Sequence, residues 1–411
     1  MDTTLLIFLL VYLAMGFGQL PGFRVDRTGA ALVGMLAMLV VGSITPQAAW
    51  NAIDYRTIGM LFGLMVVAAA FTISGFYAWT AERIGTLAVK PPVLLAILIV
   101  TGCALSAVLT NDVIAVAMTP LLVSATLARK LNPVPFLLGF CFATNIGSSA
   151  TLIGSPHNMI VGQTLQLSFT GFLGVSLLPS LVALPLTWAI VAFLYRGRWE
   201  LTGSTAAAVA PPVPVPFNRI ETLKAGVVAI AVILAFIFSP WPRELIALAA
   251  AGVLLVNRKI ASGDVLSKVD YNLILLVVGL FVVNAAFAAT GIPKELVGEL
   301  RAMGVDIHNP TILLWVVAVV SDLIGNNPTV MLLLPLLHHV RDPEMLGAVM
   351  SMGTSFSGNI VVFGSLAGII TVEQAAANGI RISFGEFVRV GAPVTAACMA
   401  VATVWILFLG A

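Results

Sequence analysis

Long apolar runs separated by short polar interruptions make up most of this chain. Residues 5–20, 30–44, 58–73, 177–194 and 273–288 are each long enough, or nearly so, to cross a hydrocarbon core of roughly 30 Å as a helix. Four other apolar stretches are broken from within by small and amide residues: Thr110–Asn111–Asp112, residues 144–151, residues 325–328 and residues 354–359. Unbroken runs predict spanning helices. The broken ones predict chain that turns or unwinds inside the membrane, which lipid tolerates only where protein buries the backbone or a wet cavity receives it.

Composition agrees. In 411 residues, 60% are hydrophobic and 9% charged, and the mean hydropathy is +1.07, far from soluble globular domains. The first run follows Asp2 without a basic segment or a small-residue cleavage pattern, so it reads as a retained span rather than a signal peptide. Cys103, Cys141 and Cys398 lie far apart in apolar sequence, which argues against a disulfide framework, a CxxC metal site or a redox motif. A net charge of +2 without a basic, aromatic-interleaved stretch gives no sign of nucleic acid. No nucleotide-binding loop, dinucleotide fingerprint or H-E-x-x-H zinc motif occurs. The expectation is a non-enzyme without cofactor or metal, whose uphill work draws on an ion gradient or on a separate, soluble ATPase subunit.

Sliding the sequence over itself exposes a repeat at a period of about 215 residues. YRTIGMLFGLMVVAAAFTISGF from Tyr55 matches YNLILLVVGLFVVNAAFAATGI from Tyr271. LTNDVIAVAMTPLL, ending at Leu122, matches IGNNPTVMLLLPLL, ending at Leu337, which sets Asn111 opposite Asn326, Asp112 opposite Asn327 and Pro120 opposite Pro335. ATNIGSSATLIGS from Ala143 aligns with GTSFSGNIVVFGS from Gly353, and FTGFLGVSLLPS from Phe169 with FGEFVRVGAPVT from Phe384. Residues 1–195 and 218–411 are thus two copies. Residues 196–217, polar and then proline-rich, read as a solvent-exposed tether.

Each copy predicts about five spans plus one re-entrant hairpin, with Thr110–Asp112 at the first tip. The alternative is two full spans joined by a surface turn. Five crossings plus a hairpin make the second copy enter from the opposite side, so the repeats are inverted. Basic residues orient them, since Lys and Arg concentrate on the cytoplasmic side. One face collects Arg24, Arg27, Arg83, Lys90, Arg129, Lys130, Arg196, Arg198, Arg219, Lys224, Arg258, Lys259, Lys268 and Arg381; the other has Arg56, Arg243, Lys294, Arg301, Arg341 and Arg389. The reading is a multi-pass protein of the cytoplasmic (inner) membrane, linker inside and both termini outside.

Interrupted apolar segments at matching places in inverted repeats point to a transporter's midplane site. Candidate solute ligands are Thr110, Asn111, Thr144, Asn145, Ser148, Ser149, Asn326, Asn327, Thr354, Ser355, Ser357 and Asn359, which offer amides, hydroxyls and freed backbone groups. Small residues also serve close helix packing. Ionisable residues in apolar sequence carry a functional expectation, so Asp112, Asp322 and His157 are the candidates for coupling a proton or sodium ion. His338 and His339, beside Arg341 and Asp342, read as a solvated loop. No Lys or Arg falls inside the four polar segments, which favours a neutral polyhydroxy solute over a multiply charged anion.

At these residues the chain resembles the ion transporter superfamily, which includes arsenite permeases, citrate and divalent-anion/sodium symporters and certain sodium/proton antiporters. TNDVIAVAMTPLL with ATNIGSSATLIGSPHNMIVG, and SDLIGNNPTVMLLLPLL with GTSFSGNIVVFGS, are similar to its arsenite-permease and related anion-permease branch. The resemblance implies an all-α, elevator-type carrier, commonly a homodimer, in which hairpins and broken helices form a moving unit. In the dicarboxylate branch each tip carries Ser-Asn-Thr; here the tips read Thr110-Asn111-Asp112 and Gly325-Asn326-Asn327, keeping the asparagines and losing most flanking hydroxyls. The leading expectation is proton-coupled efflux of arsenite or antimonite as the neutral hydroxide. Alternatives are a sodium- or proton-coupled carboxylate or inorganic-anion carrier, and a sodium/proton antiporter.

Overall fold

The structure is a computed structural model and describes residues 3–20, 22–201, 216–337 and 342–410. His338, His339, Arg341 and most of the linker lie outside the described residues. The described chain is helical, with two isolated β-bridges and no strand.

Ten helices precede the linker: α1 (Thr3–Phe17), α2 (Arg27–Val40), α3 (Pro46–Ala52), α4 (Tyr55–Ile73), α5 (Phe76–Gly85), α6 (Pro91–Val108), α7 (Asn111–Ala128), α8 (Pro133–Ser148), α9 (Pro156–Thr164) and α10 (Phe169–Leu194). Ten follow it: α11 (Arg219–Phe238), α12 (Arg243–Leu255), α13 (Ser262–Leu266), α14 (Tyr271–Ala289), α15 (Ile292–Ala302), α16 (Pro310–Ile324), α17 (Asn326–Leu333), α18 (Pro343–Ser357), α19 (Leu366–Ala377) and α20 (Phe384–Leu409). Short helices α3, α5, α13 and α15 were not anticipated from hydropathy, because they are too short or too polar to register as apolar runs.

Polar punctuation starts many of these helices. Asp26, Asp54, Asn218, Asp270 and Asn309 each accept a backbone N–H from the first turn that follows, satisfying donors that the helix itself leaves open. Proline opens α3, α6, α8, α9, α16 and α18, where its missing N–H costs nothing. Among the described residues, α4, α6, α7, α10, α11, α14 and α20 are long and apolar enough to cross a membrane, so the protein is a multi-pass membrane protein. Helices α1 and α2, with 15 and 14 residues, are about 22 Å long at ~1.5 Å per residue, short of the hydrocarbon thickness. The apolar run around α2 continues past the helix, which stops at Val41 before Gly42 takes φ of 77°.

The two halves interlock. Helix α4 packs on α12, and α2 on α14. Both contacts depend on small residues: a Cβ at Gly63 would lie 2.4 Å from the Ala247 carbonyl carbon, and one at Gly279 would lie 2.9 Å from that of Ala31. Small residues allow such approach of membrane helices, where packing rather than water exclusion holds helices together. At the centre, every residue of α8 from Pro135 to Ser148 and of α18 from Met345 to Ser357 is buried. Helices with no solvent-facing stripe belong inside a bundle, and these two end at the polar breaks.

Candidate functional site

The first interruption is a tight elbow. Helix α6 ends at Val108, Leu109 and Thr110 are extended, and α7 starts at Asn111. Thr110 and Asn111 are each only 3% exposed, and the Asn111 N–H donates to the Gly154 carbonyl (3.1 Å) in the break between α8 and α9. The elbow is therefore buried against a second interruption, and its arms α6 and α7, 18 residues each, are long enough to cross a membrane. In the second half, Gly325 joins α16 to α17 with φ 91° and ψ 161°, a backbone region that only glycine enters without strain. Ser321 Oγ donates to Asn326 Oδ1 (2.6 Å) across this tip.

Side-chain amides tie the breaks together across the two halves. Asn111 Nδ2 donates to Asn145 Oδ1 (3.2 Å), and Asn145 Nδ2 donates in turn to Asn359 Oδ1 (2.9 Å) and Ser365 Oγ (2.9 Å). His157 Nε2 lies 3.0 Å from Ser155 Oγ and 3.1 Å from Ser355 Oγ. Asn158, which sequence reasoning passed over, donates to the Ser148 carbonyl (2.7 Å) and the Thr151 carbonyl (2.8 Å) and so clamps the unwound stretch. Its signal was present as a second polar residue beside His157, but a local amide-to-backbone clamp cannot be read without the fold.

Not every acceptor and donor is used. Thr110 Oγ1, Asn111 Oδ1, Asn327 Oδ1, Asp322 Oδ1 and Asn359 Nδ2 are buried without a partner in the protein. Leaving such a group unmet costs about 1–3 kcal/mol, so each calls for a partner such as a bound solute, ion or water.

A cavity of ≈ 450 Å³ opens beside these groups. Asn111, Asp112, His157, Asn326, Asn327 and Ser365 line it, together with Asp26, Arg27, Asp270 and Glu373. Asp112 is also on the wall of an adjoining cavity of ≈ 310 Å³ with Thr110, Lys268 and Asp270. Asp322 faces a third, of ≈ 790 Å³, which shares Arg27 and Glu373 with the first. Five sequence candidates thus meet in one cavity, while Thr110 and Asp322 sit in its neighbours. Thr144, Asn145, Ser148, Ser149, Thr354, Ser355, Ser357 and Asn359 lie behind the wall. Most of their hydroxyls return to carbonyls of their own helix, as Thr144 does to Cys141 (2.7 Å) and Thr354 to Met350 (2.9 Å), while Ser149 also meets Ser180 (2.9 Å).

Arg27 corrects the expectation of a site without cations. It opens α2, far in sequence from the four polar segments, and the packing of α2 on α14 carries it to the cavity. Its Nε donates to the Met15 carbonyl (2.9 Å). Among the described ion pairs none involves Arg27. Four carboxylates and one guanidinium make the wall acidic overall. Among the described residues no cluster of His, Cys, Asp or Glu is arranged to hold a metal ion.

Apolar helices spanning lipid, interrupted at matching places around a polar cavity with unmet amides, define a membrane transporter. Residues 8–355 match the citrate transporter family (CitMHS), and the chain belongs to that family. It is 30% identical over 407 residues to an uncharacterized transporter of Mycobacterium tuberculosis, covering 93% of this chain and 94% of that one. It is 24% identical to the silicon efflux transporter LSI3 of Oryza sativa subsp. japonica, covering 92% of each. In fold it is similar to the YdaH transporter of Alcanivorax borkumensis, with a TM-score of 0.63, 17% identity and coverage of 99% of this chain and 96% of that one. These are transporters, and the chain is not an enzyme.

Proposed function

We propose that the protein is a secondary carrier that exports a small polyhydroxy solute, arsenous or antimonous acid or a chemically similar hydroxide, in exchange for protons taken up at Asp112. The observation that carries this reading is the cavity wall: unmet amide oxygens of Asn111 and Asn327 beside Asp112. Carbonyl oxygens of amides accept hydrogen bonds from hydroxyls, whereas the surrounding carboxylates oppose a multiply charged anion. A single carboxylate at the tip of the first hairpin, replaced by Asn327 at the second, provides one titratable group at the hairpin tips for exchange. A relative whose name records silicon efflux supports an export function.

In this reading the two ten-helix halves are inverted repeats. Helices α6–α7 and α16–α17 form re-entrant hairpins that move with α8–α9 and α18–α19 as an elevator, and the carrier works as a homodimer in the inner membrane. The cavity opens on the face rich in Lys and Arg, the cytoplasmic one, where an exporter loads. A membrane potential of 100 mV adds about 2.3 kcal/mol for each charge moved inward. Inverted vesicles containing the protein should accumulate arsenite under an imposed proton gradient; a folded, reconstituted protein that accumulates none would sink the proposal.

Arg27 favours a second reading, proton- or sodium-coupled transport of a carboxylate such as citrate, since a guanidinium pairs well with carboxylate. Uptake of labelled citrate by the same vesicles, competed by no arsenite, would select it.

A further inference from the structure

Arg27 and Arg243 occupy the same place in the two copies. Each is the first residue of its helix, α2 and α12, and each precedes its copy's repeat tyrosine, Tyr55 or Tyr271, by the same spacing. The helices they open make mirrored contacts, α2 on α14 and α12 on α4. Their surroundings nonetheless differ.

Arg27 donates through Nε to the Met15 carbonyl (2.9 Å) and borders open space with the rest of its guanidinium. Its guanidinium lines both the central cavity and the one containing Asp322, and its Nη1 is among the first atoms that a side chain at the Gly325 hairpin tip would meet. Arg243 lines none of the three cavities described above. Its Nη2 donates to the Leu167 carbonyl between α9 and α10, and Glu344 and Glu244 act on it through space without a direct ion pair. Glu344 Oε1 accepts the neighbouring Ser168 N–H (2.6 Å). Glu244, itself 6% exposed, holds Gln163 (3.4 Å) and Arg56 (3.8 Å), and Gln163 in turn covers Met60 (3.5 Å). Met60 is the repeat counterpart of Leu276, which lines the central cavity. One arginine therefore borders the central cavity, and its twin belongs to a polar side-chain network on the opposite side.

We propose that Arg27 and Arg243 are a pair of solute-facing guanidinium groups used alternately: each donates to an oxygen of the solute when its own side is open, and each is held by protein carbonyl and carboxylate groups when that side is closed. This assignment rests on the inverted-repeat carrier reading above. Both solute classes considered there present the required oxygen acceptors. In the oppositely open state Arg243 leaves Leu167 and faces the Thr110 tip, as Arg27 faces the Gly325 tip here.

The test uses the full chain in proteoliposomes with Cys103, Cys141 and Cys398, all buried, replaced by alanine, and with a single reporter, Met60→Cys or Leu276→Cys. A water-soluble thiol reagent should label the Leu276→Cys reporter, on the cavity wall, faster than the Met60→Cys reporter. Adding Arg243→Gln should raise the Met60→Cys rate and lower the Leu276→Cys rate, moving their ratio roughly tenfold, the change produced by about 1.4 kcal/mol. Glu344→Gln, which leaves the arginine in place, should act in the same direction, and Arg243→Lys should largely restore the parental ratio. Arg27→Gln should instead weaken the protection that arsenite or citrate gives the Leu276→Cys reporter. If arsenite or citrate shifts both reporters but Arg243→Gln and Glu344→Gln leave the ratio unchanged, the arginine pair is wrong while the carrier stands. If neither solute nor any variant moves either reporter, alternation itself fails and the pair with it.

Discussion

Asp112 and the asparagines around it illustrate how one side chain's value depends on its neighbours. Asp112 stands in the first turn of α7 on a cavity wall that also carries Asp270. Under the proposed exchange, its replacement by Asn removes the exchangeable proton but keeps the shape. Asp112→Asn should therefore abolish proton-driven accumulation while solute-for-solute exchange persists, read as counterflow in vesicles at several pH values; unchanged pH dependence would remove Asp112 from the mechanism. Asn145 has a different part. Both of its amide ends are committed, to Asn111 and to the Asn359–Ser365 pair. Asn145→Leu would strand Asn111 Nδ2 and Asn359 Oδ1 at about 1–3 kcal/mol each, while Ser365 Oγ keeps the Gly368 N–H, so a clear fall in the thermal midpoint in detergent is expected, larger than that of Asp112→Asn.

At the scale of elements, the hairpins matter because they end helices inside the protein. The second depends on Gly325, whose positive φ suits no other residue well. Gly325→Ala should cost about 1–3 kcal/mol through backbone strain and slow transport more than it lowers overall stability, because the strain is local to the tip; equal thermal midpoints and equal rates for variant and parent would contradict this. The helix crossings have a similar dependence on small residues. Gly63→Val would drive methyl groups into the Ala247 backbone, which cannot move aside as a flexible side chain would. Poor membrane insertion or a markedly lower melting temperature is the expected result, with Gly226→Val, where a Cβ meets nothing within 4 Å, as the tolerant control.

For the whole molecule, the asymmetry between its two sides is the informative property. The mouth that carries Arg27, Asp26 and Asp270 is open, while Gln163, Glu244 and Arg56 form a polar layer on the other side. A cysteine at Asn272, exposed at the open mouth, should react with a membrane-impermeant reagent only from the cytoplasmic side. Reaction from outside alone would reverse the assigned orientation.

Much of this was written in the chain. Apolar run length determined the multi-pass helical class, because lipid admits few other solutions. Internal similarity set Asn111 opposite Asn326 and Asp112 opposite Asn327 in the sequence. Tertiary structure decided the rest. Only packing could carry Arg27 from the start of α2 to the cavity, since nothing near it in sequence is polar and intramembrane in the manner of the four broken segments. Only packing could send the hydroxyls of Thr144 and Thr354 back to their own helices while leaving Asn111 and Asn327 with unmet groups. A sequence shows which polar residues lie in apolar surroundings; which of them face empty space depends on how the helices are turned and how closely their glycines let them approach.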